Sequence, residues 1–162
     1  MKAEPKTNAA RLLEKAGVAF ELIPYEFDPD DLAAQHVADA LGEDINRVFK
    51  TLVLHGDKAG QHFVCVVPGN AEVDLKKAAR AAGVKKADLI AMKELLPLTG
   101  YIRGGCSPVG MKKPLPTFFH LTATDFDRIY VSAGRRGLQL AINPQDLINY
   151  VGATCTDLIK EN

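Results

Sequence analysis

The chain has 162 residues, 47% of them hydrophobic and 25% charged, and its 20 Lys+Arg balance 20 Asp+Glu. That length and apolar content suit one domain over residues 1–162 with a real core, and zero net charge excludes a uniform field drawing the chain to nucleic acid or membrane. The three cysteines (Cys65, Cys106 and Cys155) lack CxxC spacing, residues 1–6 have no apolar leader core, and no apolar run approaches membrane-spanning length; the expectation is a soluble cytoplasmic protein with reduced thiols and no membrane partner.

In chain order, Ala9, Leu12, Leu13 and Ala16 predict a helix over residues 8–16 that Gly17 ends, followed by a strand over 19–25. Asp30 and Asp31 are placed to cap a second helix carrying Leu32, Val37, Ala40 and Leu41, closed by Gly42. Residues 48–55 and 62–67 read as β-rich runs joined by a turn around Gly56-Asp57-Lys58-Ala59-Gly60. Asp74 opens a basic helix that stops near Gly83, and a further helix is expected over 89–96. A short strand at 101–103 should lead into a glycine-rich loop, with strands near 117–121, 129–132 and 138–142 after it. Pro144 suits the first turn of a helix reaching Tyr150, and a last strand is expected over 155–159. Hairpins and helices mix without regular βα alternation, which gives an α+β fold.

The most informative stretch is Gly100-Tyr101-Ile102-Arg103-Gly104-Gly105-Cys106-Ser107-Pro108-Val109-Gly110-Met111-Lys112-Lys113. Glycines let backbone N–H groups approach a ligand, and the lysines can meet a phosphate; an ordinary Gly/Pro connection is the alternative. A second segment, Tyr130-Val131-Ser132-Ala133-Gly134-Arg135-Arg136-Gly137, has similar ingredients. Lys50 stands on a strand face with Val48, Leu52 and Leu54, where an ammonium needs an anion, a polar pocket or a route to solvent. Residues 71–136 carry twelve Lys/Arg against six Asp/Glu. The pairs Lys76–Lys77, Lys85–Lys86, Lys112–Lys113 and Arg135–Arg136 are either solvated surface or parts of a polyanion-binding face.

Other chemistries find little support. Tyr130 stands where a GxSxG elbow would need a glycine before Ser132. His36, His55, His62 and His120 show no metal spacing, so neither a structural zinc nor a cofactor is expected. Cys106 has no identifiable histidine base and reads more readily as a small apolar loop residue than as a nucleophile.

Phe49-Lys50-Thr51-Leu52, Val73-Asp74-Leu75-Lys76-Lys77, the Gly100–Pro108 loop and Val131-Ser132-Ala133-Gly134-Arg135-Arg136-Gly137-Leu138 together resemble the YbaK/EbsC family. These are free-standing aminoacyl-tRNA deacylases related to the editing domain of bacterial prolyl-tRNA synthetase, and the resemblance runs from about Ala9 to Leu158. It implies an α+β fold around a mixed, barrel-like sheet with surrounding helices. It also implies hydrolysis of cysteine from mischarged tRNA(Pro), with prolyl-tRNA synthetase a candidate partner. Another mischarged species such as Ala-tRNA(Pro), or a non-catalytic RNA- or nucleotide-binding module, remains open.

By the resemblance, Lys50 would hold the terminal adenosine or its phosphate, and the loop containing Gly104 and Gly105 would hold the scissile carbonyl through backbone N–H groups. Tyr101, Cys106, Ser107, Pro108 and Ser132 would line the substrate pocket, with Tyr25 and Phe27 at its mouth. Lys76, Lys77, Lys112, Lys113 and Arg136 would meet tRNA phosphates. Gln139 departs from a family pattern that is often acidic there.

Overall fold

The computed structural model describes residues 6–161; the start of the N-terminal stretch read for a leader, residues 1–5, lies outside them. The helices are α1 (Asn8–Lys15), α2 (Ala34–Leu41), α3 (Leu75–Ala82), α4 (Met92–Thr99) and α5 (Pro144–Val151). The strands are β1 (Phe20–Pro24), β2 (Phe49–His55), β3 (His62–Pro68), β4 (Asp88–Leu89), β5 (Thr117–His120), β6 (Ile129–Arg135), β7 (Leu138–Ile142) and β8 (Thr154–Thr156). No helix among the described residues is long and apolar enough to cross a membrane.

The helix boundaries follow local chemistry. Asp74 accepts hydrogen bonds from the N–H groups of Lys76 and Lys77 and so caps α3, and Gly83 ends it in a left-handed conformation. Asn143 caps α5 through the Asp146 N–H, with Pro144 in the first turn. At α2 the expectation fails. Ala33 is the N-cap and its methyl group can offer no bond, while Asp28 and Asp31 accept the N–H groups of Asp30 and Ala33 in the preceding turn.

The sheet is α+β and mixed, but it is not a closed barrel. Three antiparallel strands lie in the order β1-β7-β6, and five lie in the order β4-β2-β3-β5-β8. In the second sheet β2 runs antiparallel to β3 and β4, whereas β3–β5 and β5–β8 are parallel. The sheets touch where Val48 bridges Tyr130 and then part. Along β3 every residue from Phe63 to Pro68 is buried, because both faces are covered. Val64 and Val66 join Phe49, Val53, Val131, Leu138 and Leu140 in the core between the sheets. Phe63, Cys65 and Val67 pack with Leu54, Leu158 and the α3 alanines Ala78 and Ala79.

Three other expectations shift. The helix expected over 89–96 begins at Met92, because Leu89 is drawn into β4 opposite Leu54. Residues 101–103 are not a strand; the chain from Tyr101 to Pro116 is irregular. The last strand is shorter, β8 pairing with β5 while Asp74 N–H and Lys160 N–H bond to Leu158 and Glu72 across a separate crossing.

His120 ends β5 at 5% exposure, and its Nδ1 accepts the Leu158 N–H at 3.1 Å. Burial holds its pKa below the ordinary 6.5; Asp157 and Asp125 oppose this, and Lys77 reinforces it. The unfolded chain therefore takes up the proton first. Stability contributed by neutral His120 is full above 6.5 and is lost as pH falls from 6.5 through the lower folded value. Denaturant midpoints measured on both sides of 6.5 should show this loss, and His120→Asn should flatten it. An unchanged slope in the variant would remove His120 from the acid response.

Candidate active site

The cavity opens where the two sheets diverge. It has a volume of about 420 Å³ and is lined by β2 from Phe49 to Val53, by Gly69, by Arg103, Gly104 and Cys106 of the loop, by Leu95 of α4, and by Ser132 and Gln139 of β6 and β7. Beyond the Val48–Tyr130 bridge β2 has no sheet partner on this side among the described residues until Ile90 N–H reaches the Val53 carbonyl. The open strand edge is therefore one wall of the cavity.

Lys50 is half-buried in that wall. Strand alternation sets it with Val48 and Leu52, across from Val67. Val48 shares a core cluster with Tyr130 and Ala141, and Ser132 and Gln139 lie two residues along from those positions, paired with each other. Lys50, Ser132 and Gln139 thus project from one continuous face. Burial lowers the Lys50 pKa, opposed by the charge of Glu72. No hydrogen bond or ion pair engages its ammonium among the described residues.

The glycine loop is shaped by two requirements. Gly104 sits at φ +84°, where a side chain would be strained, and a Cβ on Gly105 would stand 3.0 Å from the Arg135 Cα, against backbone. The loop is thus pressed on the β6–β7 hairpin main chain to main chain. Gly105 N–H is already bonded to the Ile102 carbonyl at 2.9 Å, which removes it from the donors a ligand can use. Among the described residues no acceptor takes the N–H of Gly104, Cys106 or Ser107. A bulge between Ser132 and Arg135 turns the end of β6, with Ser132 Oγ accepting the Gly134 N–H at 3.2 Å.

The structure brings together Lys50, Gly104, Cys106 and Ser132, but not all of the expected set. Tyr101 is buried beneath the loop and donates its hydroxyl to the Val109 carbonyl at 2.5 Å. Ser107 and Pro108 are buried, Ser107 Oγ accepting the Val109 N–H. None of these three lines the cavity; they support the loop from behind. Phe27 is exposed and packs near Gly137 beside the Tyr25 carbonyl, on the hairpin rather than on the cavity wall.

Of the basic residues, Lys76, Lys112 and Lys113 are exposed. Lys77 is held by Asp157 at 2.8 Å and by the Ile159 carbonyl, and Arg136 Nε donates to the Arg103 carbonyl at 2.8 Å. Arg103, Thr51, Leu89, Met92 and Leu95 line the cavity in addition to the expected residues; Arg103 is signalled by its place in the loop, whereas α4 reaches the cavity only through tertiary packing.

Cys106 borders the cavity, but burial pushes its thiol pKa up to about 12. No histidine lines the cavity, and no group of three or more His, Cys, Asp or Glu able to hold a metal occurs among the described residues. What the cavity offers is two cationic side chains, Lys50 and Arg103, with backbone donors and neutral polar side chains.

Comparison with known proteins gives this cavity its context. The family model for the aminoacyl-tRNA editing domain matches residues 28–150, a span from the turn before α2 to α5 that includes every residue named on the cavity wall. The chain belongs to the aminoacyl-tRNA editing family. Within that family it is 45% identical over 148 residues to EbsC of Enterococcus faecalis, a protein named for a proposed Cys-tRNA(Pro)/Cys-tRNA(Cys) deacylase activity, covering 91% of this chain and 90% of that one. Proline–tRNA ligase of Staphylococcus aureus is 26% identical over 144 residues, which make up 25% of the ligase. The editing fold also superposes on a crystal structure described as a proposed trans-editing enzyme for prolyl-tRNA synthetase, with a TM-score of 0.83, 25% identity, and coverage of 97% of this chain and 100% of that one.

Proposed function

We propose that this aminoacyl-tRNA deacylase hydrolyses cysteine from mischarged tRNA(Pro), acting on the charged tRNA in trans. The observation that carries the reading is a cavity with Lys50 on one wall and the Gly104–Cys106 loop on another, where burial keeps the Cys106 thiol protonated. Its volume of about 420 Å³ lies in the range of small-ligand sites and leaves room for a terminal nucleoside with its acyl group. The family match and the name of the E. faecalis relative support the same chemistry.

Selection against cysteine needs such a second step. Cysteine and proline are similar in size, and an apolar synthetic pocket separates such ligands by only ~1–3 kcal/mol. In the proposed reaction the thiolate of the esterified cysteine attacks its own ester carbonyl. The carbonyl oxygen gathers negative charge, which the uncommitted loop amides stabilise. The bond to the ribose oxygen breaks, that oxygen takes a proton, and water opens the resulting thiolactone to free cysteine. Lys50 anchors the nucleotide end, so the protein contributes position and electrostatics.

The basic residues Lys76, Lys112 and Lys113 and the loop-bound Arg136 supply phosphate contacts for the tRNA body in this reading. A chain with zero net charge gains little long-range attraction for tRNA, and this favours docking on prolyl-tRNA synthetase as an aid to delivery. The test is release of the amino acid from a panel of charged tRNAs. Cys-tRNA(Pro) should be deacylated well above its spontaneous rate, Pro-tRNA(Pro) should remain charged, and Ala-tRNA(Pro) and Cys-tRNA(Cys) set the limits of selectivity. Equal background rates for the cysteinyl and prolyl esters would sink the assignment.

A further inference from the structure

Gln139 occupies the cavity wall in a way the reaction described above does not use. It is 4% exposed, sits second in β7, the central strand of its sheet, between Ser132 of β6 and Ile23 of β1, and lines the cavity. Its Oε1 is buried and has no hydrogen-bond partner among the described residues. A buried acceptor left unpaired destabilises the fold relative to one that is paired, and native interiors rarely tolerate it without a reason. A ligand carrying a donor supplies the reason.

We propose that Gln139 Oε1 accepts a hydrogen bond from the α-amino group of the esterified amino acid, making Gln139 the residue that recognises the acyl group as an amino acid. The inference rests on the deacylase reading. The α-amino group is one carbon from the scissile carbonyl, so a carbonyl held at the loop brings the amine to the same end of the cavity. Other acceptors there are less suitable. Ser132 Oγ already accepts the Gly134 N–H. Thr51 Oγ1 is also buried and unpartnered, but a hydroxyl can donate to a ligand oxygen, whereas an amide oxygen can only accept. A carboxylate at position 139 would share a face with Lys50 and draw its ammonium away from the substrate. The neutral amide recognises the amine while leaving Lys50 uncommitted.

The experiment compares two esters of the same tRNA(Pro), cysteinyl and 3-mercaptopropionyl. They share the thiol and the ester and differ in the amino group, and each enzymatic rate is divided by the spontaneous rate of its own ester. Wild type should accelerate the cysteinyl ester about tenfold or more over the deamino ester, the effect of a hydrogen bond to a charged donor. Gln139→Met keeps the length and apolar packing; it should slow the cysteinyl ester to the level of the deamino ester and leave the deamino rate within about twofold. Gln139→Glu retains an acceptor and should retain the preference, which a merely structural role would not predict. A wild-type protein without the preference overturns the proposal before any variant is made, and so does a Gln139→Met protein that slows both esters equally or neither. If wild type accelerates neither ester, the deacylase reading itself has failed, a result distinct from loss of the amino-group preference alone.

Discussion

Lys50→Ala lowers deacylation of Cys-tRNA(Pro) by about a hundredfold or more, roughly 2.7 kcal/mol of transition-state stabilisation, and leaves the protein folded. The expectation follows from where the ammonium sits. It is half-buried on the open edge of β2, burial lowers its pKa, and no carboxylate is bonded to it among the described residues. The folded state gains little from such a charge, so its presence calls for a ligand anion. Lys50→Met, which keeps the aliphatic stem and removes the charge, should lose as much activity and separate charge from packing. Lys50→Arg should not rescue, because a planar guanidinium differs in shape from a compact ammonium. Since burial lowers the pKa, the charge disappears on raising the pH before the ordinary lysine value of 10.5 is reached. Binding of a stable amide analogue of cysteinyl-adenosine phosphate should therefore weaken on that early alkaline limb. Near-normal rates in Lys50→Ala would leave this lysine without a role in the reaction.

The second large effect lies in the substrate. Replacing the esterified cysteine by serine should slow single-turnover hydrolysis by about a thousandfold, whereas Cys106→Ala should change it only within a few-fold. The magnitudes decide between the two thiols. With a pKa pushed up to about 12, Cys106 near neutral pH is thiolate in only about one molecule in 10⁵. A solvated cysteine thiol of pKa about 8.5 is ionised at the level of a few per cent. The substrate thus holds an advantage of roughly three orders of magnitude in nucleophile concentration. A serine hydroxyl has no comparable ionised fraction, while alanine at 106 keeps the loop's backbone donors. Loss of activity in Cys106→Ala together with a trapped acyl-enzyme would replace substrate assistance with a protein nucleophile.

What the sequence makes legible here is whatever depends on neighbours along the chain. The cap at Asp74, Pro144 in the first turn of α5 and the glycine stops at Gly42 and Gly83 are local devices, and the helices begin and end where they indicate. Lys50 is visible as a charge in an apolar alternation, and the loop as a cluster of glycines. What remains hidden is set by distant segments. Leu89 belongs to a strand because Leu54 is available beside it, and α4 accommodates Pro97 near its end while Glu94 satisfies the Ala91 N–H at its start. The parting of the sheets beyond Val48 and Tyr130 has no signature in either strand alone. Nor does the engagement of Gly105 N–H with Ile102, which narrows the loop donors to its neighbours. Tyr101 carries a family-like signal, yet its hydroxyl serves the loop's underside.

The close seating of Gly105 against the Arg135 backbone has a consequence for how such a protein can diversify. In the proposed reaction the chemistry is carried by main-chain groups whose position depends on a contact that admits no side chain, so that part is intolerant of change. On the proposed reading, the identity of the acyl group is sensed by cavity side chains on separate elements, Thr51 on β2, Leu95 on α4, and Ser132 and Gln139 on β6 and β7. Mutation can therefore retune what enters the cavity one strand at a time without disturbing the reaction centre. On the proposed mechanism, a lineage built on this scaffold can drift between acyl groups by small steps, each of which leaves the loop's backbone donors in place.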